Sequence, residues 1–212
     1  MRSSAIPKRF ACHNPLSYIY VFFNCFIHLS YKRTAVCYNA GMEITLEELL
    51  ASRDRRAAYE RELLSRHRGA CLVVFTVVWP GPVKQTPQSD RLFRAGIDAL
   101  GRFVQRYELV PLAFEARELP TGNEAYLAIK TDPSFLKLEL CKLEGSAPYG
   151  RLWDMDVIAK SGEHVSRGDV GLPERGCIVC GKTGKACASR RLHPIGEVLD
   201  AAKQLAASLP DD

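Results

Sequence analysis

The sequence predicts an α/β or α+β fold, one domain on a single mixed β-sheet with a small C-terminal segment held by cysteines. Three observations carry that expectation. Apolar runs of strand length alternate with segments of helical period. The chain has 212 residues and is 47% hydrophobic, enough for one sizeable core and too short for three domains. Three cysteines and a histidine gather near the C-terminus at metal-ligand spacing.

The elements follow in order. Thr45 with Glu48 three residues later forms a capping box for a first helix, which carries Leu46, Leu49, Leu50, Ala57, Leu63 and Leu64 and stops near Gly69. Its other face bears Arg53, Arg55, Arg56 and Arg61, a solvated surface or a contact for an acidic partner. "ACLVVFTVVW" is a continuous run of β-branched and aromatic residues, as in a central strand covered on both faces, and "PGPVK" ends it. A second helix spans about 89–107, with Leu92, Phe93, Ile97, Leu100, Phe103 and Val104 at helical spacing. "LVPLAFEARELPTGNEAYLAIK" reads as two strands joined by a turn around Thr121, Gly122 and Asn123. Asp132 as cap and Pro133 at the first helical position open a third helix to about Leu143. "GRLWDMDVIAK" is a strand, "KSGEH" turns into a short one, and "IGEVLDAAKQLAASL" is a final amphipathic helix.

The net charge of +5 is misleading about partners. Residues 1–41 hold five basic residues and no acid, leaving 24 basic against 24 acidic residues in 42–212. A neutral folded region argues against a basic groove for nucleic acid. Within 1–41, "LSYIYVFFNCFIHLSY" lacks a signal-peptide cleavage pattern and falls short of the roughly 20 apolar residues of a membrane span. We read 1–41 as a non-native or disordered extension from an upstream start, the other reading being a membrane or partner segment. The folded domain is then 42–212, including the Cys/His segment 175–193 and the last helix. With no secretion signal, a cytoplasmic, reducing setting is expected, and no membrane association.

The chemistry starts at Asp154 and Asp156. Alternate strand residues point the same way, so both acids emerge on one face about 7 Å apart along the chain. Two adjacent charges in an apolar strand repel each other and cost several kcal/mol if buried. A divalent cation removes both problems, and Mg²⁺ takes one or two carboxylates and fills its shell with water and substrate phosphates. The alternative is an acid pair solvated on an edge strand. Arg151 is placed to neutralise phosphate, and Gly150 to let the backbone approach closely. Gly81 and Lys84 of "PGPVK" follow the apolar strand, where a loop presents an ammonium.

Cys177, Cys180, Cys187 and His193 are spaced C-x2-C-x6-C-x5-H. Three thiolates and an imidazole satisfy tetrahedral Zn²⁺ and leave no open position, so the zinc is structural, a compact knuckle-like site. Reduced loop cysteines are the alternative. Cys71 and Cys141 sit singly in apolar patterns as packing residues.

The segments "FTVVWPGPVK", "TGNEA", "GRLWDMDVI" and "RGCIVCGKTGKACASRRLH" together resemble the CitX family, the apo-citrate lyase phosphoribosyl-dephospho-CoA transferases, from Met42 to the C-terminus. The resemblance implies an enzyme that uses 2'-(5''-triphosphoribosyl)-3'-dephospho-CoA. It transfers the phosphoribosyl-dephospho-CoA part to a serine of the acyl carrier (gamma) subunit of citrate lyase and releases pyrophosphate. Asp154 and Asp156 would then bind Mg²⁺, with Arg151, Lys84 and Arg167 on the triphosphate. The acid pair also resembles that of the nucleotidyltransferase fold, although its usual Gly-Ser pair is not placed here. Two rivals remain: another metal-dependent nucleotidyltransferase or phosphohydrolase, which the same two acids would serve, and a non-enzymatic zinc-stabilised binding module, against which the neutral core and the acid pair count.

Overall fold

The structure, a computed structural model, describes residues 41–210. Apart from Gly41, the extension expected over 1–41 lies outside the described residues. Helix α1 (Leu46–Arg66) starts at the expected capping box, with the Thr45 and Glu48 side chains each meeting the other's backbone N–H. Strand β1 (Cys71–Val77) follows, then α2 (Pro87–Arg106), β2 (Pro111–Arg117), β3 (Glu124–Ile129) and α3 (Pro133–Glu144). A 3₁₀ turn (Pro148–Leu152) leads into β4 (Trp153–Ile158), and β5 (His164–Val165), α4 (Gly184–Ser189) and α5 (Ile195–Ala207) complete the chain. The second helix opens two residues before the expected start because Thr86 caps it and Ser89 closes a second capping box.

The sheet order is β2-β3-β1-β4-β5, with every neighbouring pair antiparallel. The expected mixed sheet is therefore corrected to a wholly antiparallel one. The reason is topological. Helix α2 joins β1 to β2, but β3 lies between them; α3 joins β3 to β4, but β1 lies between them. Strands linked through a helix are parallel yet never adjacent, the split β-α-β plan of ferredoxin-like sheets. The class is thus α+β rather than α/β.

Helices α2 and α3 cover one face. Phe93, Ile97, Leu100 and Phe103 from α2 and Leu136 and Leu140 from α3 pack on Val73, Phe75, Leu127, Trp153, Met155 and Val157. Phe75 and Phe93 stack at 5.2 Å with their planes 4° apart. This closeness needs Gly96, where a Cβ would stand 2.1 Å from the Phe75 ring. Full burial of each such side chain stabilises the fold by about 1.5–3 kcal/mol. The opposite face is covered by α1, with Tyr59 and Leu63 on Leu72, Val74, Tyr126, Ala128 and Ile158. Helix α5 closes a third cluster, setting Ala202 and Ala206 against Trp79, Leu92 and Leu152.

Candidate active site at the free edge of β4

Strand β4 is apolar on one side and acidic on the other. Trp153, Met155 and Val157 enter the α2/α3 core, and the Trp153 indole N–H donates to the Leu92 carbonyl at 2.9 Å. Asp154 and Asp156 emerge together on the α1 side, as the strand period requires. The register sets Asp154 in line with Thr76 of β1 and Glu124 of β3, and Asp156 in line with Val74 and Tyr126.

Strand β5 pairs only with Val157 and Ile158, so the outer edge of β4 over residues 153–156 has no partner strand among the described residues. Three charged side chains cap it instead. The Arg175 guanidinium donates to the Trp153 carbonyl at 2.8 Å, the Met155 N–H donates to the Glu144 carboxylate at 2.8 Å, and the Lys137 ammonium donates to the Met155 carbonyl at 3.0 Å. They satisfy edge groups that would otherwise cost desolvation energy. They also bring charge to the acids. Lys137 Nζ lies 3.5 Å from Asp156, and Arg175 lies 3.5 Å from Asp154 while pairing closely with Glu144.

Burial pushes the Asp154 carboxyl above its ordinary range; Asp156 adds to that shift, and Arg175, Lys137 and Arg56 oppose it. Glu60 of α1 is also pushed up by burial, with Asp156 and Glu124 raising it further against His164 and Arg56. Glu124 is buried beneath Arg56, whose Nε donates to it at 2.8 Å, and Tyr126 donates its hydroxyl to the same carboxylate. The acids of β4 thus lie among the charged side chains of Glu60, Arg56, Glu124, Lys137 and Arg175. The two acids stay partly solvated, Asp154 keeping 39% and Asp156 52% of its side-chain surface, and each has a cationic side chain 3.5 Å away.

Arg151 and Arg167 join Arg175 around buried Glu144. Arg167 lies 3.5 Å from the Glu144 carboxylate and also donates to the Pro173 carbonyl at 3.0 Å. Arg151 donates to the Gly176 carbonyl at 2.6 Å, and burial with the neighbouring Arg175 and Arg167 charges lowers its pKa. The close approach expected at Gly150 is to the chain itself, since a Cβ there would stand 2.5 Å from the Glu144 carbonyl oxygen. Gly81 adopts φ +83° over Leu199 of α5. The Lys84 ammonium donates to the Trp79 carbonyl at 2.8 Å, and burial, reinforced by Arg53, lowers its pKa.

The Cys/His residues converge as their spacing predicts. One ligand atom from each of Cys177, Cys180, Cys187 and His193 lies within 4.8 Å of all the others, so the cluster can hold a metal ion such as zinc. The Val179 N–H points at the Cys177 sulfur at 3.4 Å, and Gly181 turns the chain at φ +73°. Burial opposes ionisation of Cys177, but the Cys180 and Val179 N–H groups and the adjacent thiols bring its pKa to about 7. Cys187 takes the opposite sign, pushed up to about 11 by burial and the neighbouring sulfurs. His193 Nε2 is buried with no hydrogen-bond partner among the described residues, while Nδ1 lies 3.7 Å from Glu197. A histidine with a carboxylate near one nitrogen and the other nitrogen buried and bare is arranged as a ligand.

Sequence reasoning missed Lys137, Glu144, Arg175, Glu60 and Glu124. One signal was available for the first two. Lys137, Cys141 and Glu144 recur at i, i+4, i+7 on α3, and all three are buried, so two charges share a face with a core cysteine.

No helix among the described residues is long and apolar enough to cross a membrane. A family model described as apo-citrate lyase phosphoribosyl-dephospho-CoA transferase, CitX, matches residues 44–209. A protein of that name from Escherichia coli (strain SE11) is 38% identical over 157 residues, covering 74% of this chain and 85% of its own. One from Shigella boydii serotype 18 has the same identity and coverage. Protein CitXG of Haemophilus influenzae is 35% identical over 166 residues, 78% of this chain, which spans only 36% of that longer protein. The match runs from the start of α1 to the end of α5 and takes in both the acid strand and the cysteine cluster: the chain belongs to the CitX family of apo-citrate lyase phosphoribosyl-dephospho-CoA transferases.

Proposed function

We propose that the protein is the cytoplasmic enzyme that moves phosphoribosyl-dephospho-CoA from 2'-(5''-triphosphoribosyl)-3'-dephospho-CoA to a serine of the citrate lyase acyl carrier subunit. Family membership supports the transfer, and the Asp154–Asp156 pair, with Arg175 3.5 Å from Asp154 and Lys137 3.5 Å from Asp156, is the observation that carries the site. The serine oxygen attacks the α-phosphorus, the bond to the departing pyrophosphate breaks, and the serine proton passes to a carboxylate of the pair. The nucleotidyltransferase-like reading rests on this acid, apolar, acid strand and not on the strand order.

The donor set fits a hard divalent cation. Two carboxylates side by side, one with a raised pKa, are relieved by Mg²⁺, which binds through oxygen and keeps positions for phosphate. Asp154 and Asp156 would hold the ion, which would supply charge compensation for the phosphate oxygens. Arg151 and Arg167 hold the triphosphate as fixed cations. Gly81 and Lys84 serve its outer end, Lys84 exchanging the Trp79 carbonyl for phosphate. Zinc at the Cys/His cluster is structural, all four of its positions being filled by protein.

Intact mass spectrometry of the apo carrier after incubation with this protein, Mg²⁺ and the triphosphoribosyl donor tests the reading. A gain equal to the phosphoribosyl-dephospho-CoA moiety is expected. Asp154→Asn and Asp156→Asn abolish it while circular dichroism stays unchanged. Retained turnover in either variant refutes the site, and no gain with donor and carrier intact refutes the reaction.

A further inference from the structure

The segment that holds the cysteines has almost no core of its own. Of residues 171–194 only Cys187 is buried, with Ile178 partly buried against the α5 cluster. Segments that bury so little take their folding energy from metal or disulfide. The four ligand side chains are therefore its main inner fastening.

That fastening is tied at short range to the acid strand. Arg175 precedes Cys177 by two residues, and the backbone between them is locked. Gly176 bridges Thr183, the Cys177 N–H donates to the Lys182 carbonyl at 2.5 Å, and the Gly184 N–H donates to the Arg175 carbonyl at 3.0 Å. The strands of the loop touch so closely that a Cβ at Gly176 would stand 2.7 Å from the Gly181 carbonyl oxygen, and one at Gly184 2.9 Å from that of Arg175. From this frame the Arg175 side chain, 23% exposed, reaches Glu144, the Trp153 carbonyl and Asp154. Arg151 adds a second tie through the Gly176 carbonyl.

We propose that the Cys177/Cys180/Cys187/His193 site, loaded with zinc, makes Arg175 a positioning residue of the acid strand. It fixes the guanidinium between Glu144 and Asp154, so that losing the metal slows transfer by releasing Arg175 and not by unfolding the domain. The catalytic part of this inference rests on the proposed role of Asp154. The structural part, zinc setting the place of Arg175, stands independently of it.

The test uses full-length protein labelled with ¹⁵N-arginine. The guanidinium signals of Arg175 are assigned by their loss in Arg175→Lys, and those of Arg56, paired with Glu124 on the α1 side, serve as the control. The zinc-loaded protein is expected to show a dispersed Arg175 signal. It collapses on chelation and in Cys180→Ser, returns with one equivalent of zinc after chelation, and leaves Arg56 unmoved. In transfer assays Cys180→Ser and Arg175→Lys each lose about 10–100-fold, as supporting shells of metal sites do, and the double variant loses no more than the worse single one.

Failure to take up zinc, an Arg175 signal indifferent to it, or joint loss of the Arg56 signal would overturn the proposal. So would losses that multiply in the double variant. Should Asp154→Asn retain transfer, the assigned reaction centre fails, while the Arg175 signal still decides the structural link.

Discussion

On one face of β4, Trp153, Met155 and Val157 are at most 2% exposed and meet aromatic and aliphatic groups; on the other, Asp154 and Asp156 keep 39% and 52% of their side-chain surface. Residues one position apart in sequence thus work in opposite directions. The core face stabilises through burial. The acid face carries like charges that the protein must hold with Lys137, Arg175 and a capped edge. On the proposed function, the difference marks where the molecule gives up stability for chemistry, since nothing in the packing of the α2/α3 face requires two carboxylates behind it.

The sharpest way to break the contrast is to exchange which property fails. Trp153→Ala removes the Phe75 edge contact and the hydrogen bond to Leu92, and should cost about 3–5 kcal/mol in denaturant unfolding. Transfer per folded molecule should fall far less than in Asp154→Asn. Equal losses in the two variants would show that the faces are not separable. Gly96→Ala is a gentler probe of the same core face. The added methyl meets the Phe75 ring and should cost about 1–3 kcal/mol by overpacking. A neutral or stabilising result would mean that the Phe75–Phe93 stack yields.

How much of this was legible in the sequence depends on distance along the chain. The caps at Thr45 and Asp132 and the apolar run of β1 are local signals, and each formed where expected. The Cys/His spacing is local too, and its residues met. Sheet order is not local. "LVVFTV" announces a central strand but not that β3 and β4 flank it, so the antiparallel plan stayed hidden. The edge cap of β4 was hidden for a further reason. Lys137 and Glu144 find partners only on a strand edge left bare between Trp153 and Met155, which the sequence of α3 does not announce. Arg175 carries no local signal of its own, and its place comes from a loop that folds back to Trp153, 22 residues earlier in the sequence.

The smallest expected effect reads the charge itself. Asp154 carries a folded-state pKa above its unfolded value, chiefly from burial, with Asp156 adding to it. Between those two values the native state binds more protons than the unfolded chain, so stability falls as pH rises through the window. Above the folded pKa the penalty is complete; below the unfolded pKa it vanishes. Asp154→Asn should therefore match wild type at acid pH and exceed it at neutral pH, by less than about 1 kcal/mol because solvent reaches and screens the carboxylate. Added Mg²⁺ should reverse the order, since an ion bound only by the native carboxylates stabilises wild type by mass action. Thermal melts of both proteins across pH, with and without Mg²⁺, measure it. A pH-independent difference that Mg²⁺ leaves untouched would place the acid pair among ordinary surface charges and remove the physical ground for a cation on β4.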